Sequence, residues 1–158
     1  MYVRHTIGFD IRRVSAALDP EPAPEAGFAG NVAIEASTER VANSDAAIAA
    51  FLAQLPLRSG LGPEQILFVI DAIRPQLYEP AALARAEASY FGQMRRHFMQ
   101  QASAARFEVL DMTAAFAASF EQDKQRFEFP GDNHWNALGH RVVADQVAAS
   151  RVFARTFR

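Results

Sequence analysis

The chain has 158 residues, the length of one domain, and half of them are hydrophobic, enough for a folded core. A net charge of −2 leaves no basic footprint for nucleic acid, and the lack of cysteine excludes disulfides and thiolate metal sites. No apolar run approaches a membrane span and no signal-peptide pattern opens the chain, so as given it is expected to be soluble, with its compartment unassigned.

In chain order, Tyr2, His5, Ile7, Phe9 and Ile11 hint at a strand within residues 1–18. The Pro-rich run Asp19-Pro20-Glu21-Pro22-Ala23-Pro24 breaks regular structure, so residues 1–30 are expected to be irregular. Asn43 or Ser44 can cap a helix to about Leu55, with Ala47, Ile48, Phe51, Leu52 and Leu55 on one face. Pro56 to Pro63 reads as a loop. Ile66-Leu67-Phe68-Val69-Ile70 is a short continuous apolar run, the pattern of a strand buried on both faces.

Pro80 starts a long helix to about Ala104, with Leu83, Ala86, Tyr90, Met94 and Phe98 as its stripe. Phe107 to Asp111 is a second strand, Thr113 to about Gln122 a helix, and Asn136 to about Ser150 a final helix. Strands alternating with helices predict an α/β fold with a parallel sheet flanked by crossover helices, and one domain over 1–158. Ligands of such sheets bind outside the carboxyl ends of the strands, the edge at which Asp71 and Asp111 stand. Either Asp can equally cap the helix that follows it. Arg74, three residues after Asp71, either places a cation near that edge or makes a surface ion pair of little worth.

The most informative stretch is Phe129-Pro130-Gly131-Asp132-Asn133-His134-Trp135-Asn136-Ala137-Leu138-Gly139-His140. Asp132 stands two residues before His134 in a Pro/Gly/Asn-rich loop at a helix start, where reactive side chains are often displayed. An Asp that close can accept the ring N–H, fix the tautomer and stabilise the imidazolium, which is the base-and-orienter half of a nucleophilic triad. The plainer reading makes Asp132, Asn133 and Asn136 turn and cap residues and Trp135 an anchor of the loop on the core. A metal reading would gather Asp132, His134 and His140, although His140, one turn into the helix, would face away unless the loop folds back. Gly139 suits close approach of the last helix to the sheet. His5 and His97 have no partner in sequence, and His97 reads as lying on a solvated helix face.

Asp132, His134, Trp135, Asn136, Gly139 and His140 resemble the Asp-x-His-Trp-Asn-x-x-Gly-His signature of one branch of the SGNH/GDSL hydrolase superfamily, which includes polysaccharide O-acetyltransferases and esterases. The likeness is best over residues 43–147. It implies the flavodoxin-like SGNH fold, Asp132 as triad acid and His134 as triad base, with His140 at a non-catalytic helix position. Trp135, Asn136, Asp71 and Arg74 would serve in binding or orienting.

The departures concern the nucleophile. No Gly-Asp-Ser and no Gly-x-Ser-x-Gly occurs, and the oxyanion Gly and Gly-x-Asn-Asp motifs are not recognisable. The expected domain is therefore incomplete at its N-terminus. Ser15 lacks the glycines of a nucleophile turn and Ser59 precedes a later strand, so each reads as structural, and nothing marks Ser37 or Thr38. The resemblance implies ester hydrolysis or O-acyl transfer on small acyl esters or acetylated carbohydrate through a serine ester, without cofactor or metal. The alternative is a non-catalytic remnant module, whose exposed sheet edge would favour binding or homo-oligomeric assembly.

Overall fold

In the computed structural model, residues 37–74 and 76–157 are described; the expected strand and Pro-rich loop of residues 1–30, with Ser15 and His5, lie outside them. Helix α1 (Thr38–Ser59) begins earlier than its apolar face suggests, because the hydroxyl of Ser37 accepts the Arg40 N–H at 3.2 Å and caps it. It also runs on past Leu55 and through Pro56, in place of the expected loop. That proline sits in the last full turn, and the helix stops where Gly60, at φ 71°, returns its N–H to the Pro56 carbonyl at 2.9 Å. Ser59 spends its hydroxyl on the Leu55 carbonyl at 2.8 Å, which fits its structural reading.

Strand β1 (Leu67–Ile70) and strand β2 (Glu108–Asp111) pair in parallel, with Phe68 opposite Val109 and Ile70 opposite Asp111. A parallel pair needs a crossover. Here it consists of a 3-10 turn (Gln76–Tyr78), helix α2 (Pro80–Ala88) and helix α3 (Tyr90–Ala104). The expected single helix over 80–104 is thus two, because Ser89 takes an extended conformation and caps α3 by accepting the Gly92 N–H at 3.3 Å. Helix α4 (Met112–Asp123) follows β2 directly. The expected last helix, Asn136 to about Ser150, is α5 (Ala137–Ala148), and a further short helix, α6 (Arg151–Thr156), follows it. Ser150 caps α6, and the buried Glu108 carboxylate accepts the N–H groups of Arg151 and Val152 at 2.9 and 2.6 Å.

The sheet separates two apolar clusters. On one face Leu52 of α1, Ala102 of α3 and Phe107 pack with Phe68 and Val109. On the other, Met112 and Phe116 of α4 and Phe127 pack with Val69, Trp135, Leu138 and Val142. This is the α/β arrangement the alternation of elements predicts, with more helix than sheet. The strand residues 67–70 are half-buried and not enclosed on both faces as expected. Among the described residues the sheet has two strands, so each keeps one edge without a described neighbour. No helix among the described residues is long and apolar enough to cross a membrane.

Candidate active site

The loop between α4 and α5 is fixed at its base by backbone. Glu128 and Trp135 form an antiparallel bridge, and the Asn136 N–H donates to the Phe127 carbonyl at 2.8 Å. Asn136 then caps α5, its side-chain oxygen accepting the Gly139 N–H at 3.0 Å while its amide donates to the carbonyls of Arg126 and Glu128 at 2.8 and 3.2 Å. Gly139 allows close approach, as expected, but to this loop and not to the sheet: a Cβ there would lie 2.7 Å from the Phe127 carbonyl oxygen.

On that base Gly131 takes φ 74°, and Asp132 folds onto His134. One carboxylate oxygen, Oδ1, accepts both the backbone N–H of His134 at 2.8 Å and the ring Nδ1 at 2.5 Å. The backbone bond first, and the ring bond second, hold the Asp132 carboxyl below the usual carboxylate range. With Nδ1 committed to Asp132, Nε2 of His134 has no partner among the described residues and is free to take a proton. The pair is open to solvent: the His134 side chain is 89% exposed and that of Asp132 50% exposed, unlike the buried acid of a closed triad.

Asp71, Arg74, Asn133, His134, Trp135 and His140 line a shallow cleft of about 240 Å³. His140 therefore does not face away, as its helix position suggested; it meets Trp135 edge-on at 5.5 Å and borders the same cleft as His134. Trp135 also packs against Phe116 at 6.3 Å, the anchoring role expected of it. Among the described residues its indole N–H, although buried, has no hydrogen-bond partner. No serine, threonine or cysteine lines the cleft, and no set of three His, Asp or Glu side chains converges with metal-binding geometry among the described residues.

Arg74 is more than a surface ion pair. Its side chain is 5% exposed and forks onto Asp71, with Nε to Oδ1 at 3.1 Å and Nη2 to Oδ2 at 2.6 Å. Nη1 donates to Glu128 Oε2 at 3.3 Å, and Nη2 also donates to the Asn133 carbonyl at 3.2 Å. Burial alone would lower the pKa of this guanidinium. The hydrogen bond to Asp71 and the charges of Asp71 and Glu128 outweigh it and raise the value, so Arg74 stays charged.

Sequence reasoning missed three residues here. Glu128, with only 8% of its side chain exposed, accepts from Arg74 and from the Tyr78 hydroxyl, the latter at 2.5 Å. Burial first, and that bond second, push the Tyr78 phenol up to about 12. Arg95 of α3 pairs with Asp111 and donates to the Asp71 carbonyl at 3.2 Å. Asp111 itself caps α4 through the Thr113 N–H at 2.9 Å, so of its two readings the capping one describes it. His97, expected to be unpartnered, meets Asp45 at 2.5 Å. These partners lie 16 to 54 residues apart, beyond the reach of local spacing. The one signal present was the charged residue at each strand end.

A larger recess, of about 480 Å³, lies at the other end of the sheet, bordered by Arg106, Glu108 and Arg151. It contains no acid–base pair like that of Asp132 and His134. In comparison with known proteins, residues 15–154 match a family described as SGNH hydrolase-like domain, acetyltransferase AlgX. No curated protein and no solved structure matches the chain.

Proposed function

The chain belongs to the family of SGNH hydrolase-like, AlgX acetyltransferase domains, and on that premise we propose that it contributes the general-base half of a Ser-His-Asp acyl-transfer site. The carrying observation is the Asp132–His134 pair, with Nδ1 of the ring bonded to the carboxylate and Nε2 free beside a cleft. In this reading His134 Nε2 takes the proton of a serine hydroxyl as that oxygen attacks an acyl ester, then returns it to the leaving alcohol. Asp132 holds the tautomer and stabilises the imidazolium. Backbone N–H groups stabilise the oxyanion. The acyl group is small, acetyl being the one the family description names, and an acetylated carbohydrate is the substrate class that the sequence resemblance implies.

Among the described residues no hydroxyl lines the cleft, so in this reading the serine comes from outside them. A fluorophosphonate probe tests this. The purified chain should gain a single adduct that maps by peptide mass to one serine and disappears in His134→Ala. An adduct indifferent to His134, or none on the folded protein, overturns the reading for this chain. The sheet edges that lack a described neighbour would then favour a binding or homo-oligomeric module, for which light scattering would report a dimer.

A further inference from the structure

We propose that Arg74 is the positioning residue of the Asp132–His134 pair, clamping their loop to the carboxyl end of β1. The name "positioning" rests on the catalytic reading above; the clamp itself rests on geometry alone.

Residues 129–134 are all exposed, so burial of apolar surface does little to fix them. Their internal bonds, Asp132 N–H to the Phe129 carbonyl at 3.1 Å and the two bonds onto Asp132 Oδ1, shape the turn but do not attach it. Among the described residues, the bond from Arg74 Nη2 to the Asn133 carbonyl is the one hydrogen bond that reaches this segment from another element. Asn133 is the residue between Asp132 and His134.

The other arms of the same guanidinium explain why that bond can hold. The fork onto Asp71 indexes Arg74 to the residue that follows β1. Nη1 reaches Glu128, at the start of the loop, and the Phe116 ring lies 5.7 Å beneath the guanidinium carbon. One planar cation therefore joins a strand end, the beginning of the loop and its centre. A lysine ammonium is a point charge and cannot span three acceptors in this fork. Buried and permanently charged, Arg74 is not a proton donor to substrate. Its effect on chemistry must pass through the His134 ring that the loop delivers to Asp132.

The ring tautomer reads this directly. A neutral imidazole that donates Nδ1–H to a carboxylate is held in the Nδ1–H form, whereas a solvated ring released from it favours Nε2–H. Ring ¹⁵N shifts of neutral His134 should show predominantly Nδ1–H in the wild type and predominantly Nε2–H in Arg74→Met. Arg74→Lys, which keeps the charge, should fall between them and guards against a variant that does not fold. Leu52→Ala, a truncation in the cluster on the opposite sheet face, should lower stability and leave the tautomer unchanged. Wild-type shifts in both Arg74 variants, or an equal change in Leu52→Ala, would overturn the clamp. The readout needs no nucleophile. A tautomer that responds in a chain that takes no probe would retain the clamp and remove only the catalytic reading.

Discussion

Arg95 joins the two strand ends: its guanidinium grips the carboxylate of Asp111, the last residue of β2, while its Nε donates to the Asp71 carbonyl after β1. Burial pushes the Asp111 carboxyl up, but the Arg95 bond, followed by those of Thr113, outweighs it and leaves the pKa below the ordinary 3.8. A lowered folded value means that this group adds stability above 3.8 and loses it as pH falls through the folded pKa. Arg95→Met should therefore destabilise the fold by about 1–2 kcal/mol near neutral pH, partial exposure of Asp111 keeping the cost modest. Urea denaturation should show that difference shrinking below pH 3.8. A difference that does not change with pH would count against the pair.

Gly139→Ala tests the packing of α5. In an isolated helix the change would help by about 1 kcal/mol. Here the new Cβ would lie 2.7 Å from the Phe127 carbonyl oxygen and 3.0 Å from the Trp135 Cβ, so backbone must move. We expect a net loss of about 1–3 kcal/mol in urea denaturation. The same substitution would disturb the base of the Asp132 loop, and a stabilised variant would mean that α5 does not pack as described.

The parts of the site that could be read from sequence are those built by near neighbours. Asp132, His134, Trp135 and Asn136 form their turn, ring bond and helix cap between Asp132 and Gly139, and the residue types that do so are restricted. The strands were legible as apolar runs. The break at Ser89 was hidden because the stripe Leu83, Ala86, Tyr90, Met94 and Phe98 runs across it without interruption, although a serine cap marked the place. Arg74 appeared in sequence only as the companion of Asp71. Its bonds to Glu128 and Asn133 span 54 and 59 residues and exist only once α4 and the loop fold back over the strand end. The burial that turns it from a surface ion pair into a tether is likewise a product of the fold.

Tyr78 should ionise later than an ordinary tyrosine. Burial first, and the bond to Glu128 second, place its phenol near 12, against an ordinary value of 10.0. A folded pKa raised in this way contributes stability that is present below pH 10.0 and lost as pH climbs towards 12. A phenolate difference spectrum of wild type against Tyr78→Phe should isolate one late-titrating group. Because Tyr78 also accepts the Phe127 N–H at 3.1 Å, the variant should cost about 1–3 kcal/mol at neutral pH. Ionisation of Tyr78 at its ordinary value would mean that the Glu128 bond does not form.

Asp132 carries two roles on one oxygen, and substitution can separate them. Asparagine keeps an oxygen able to accept the His134 backbone N–H, so the turn and its stability should survive in Asp132→Asn. Charge is lost, and with it the stabilisation of an imidazolium on His134. Fluorophosphonate labelling should then fall by about 10²- to 10⁴-fold while the unfolding midpoint stays at the wild-type value. Asp132→Ala should lose both the turn and the labelling. In the wild type the backbone bond and then the ring bond hold the carboxyl below 3.8, so Asp132 keeps its charge, and with it its hold on the ring, down to that pH and gives it up only below. Equal labelling of the wild type and Asp132→Asn would show that the carboxylate acts only through the turn.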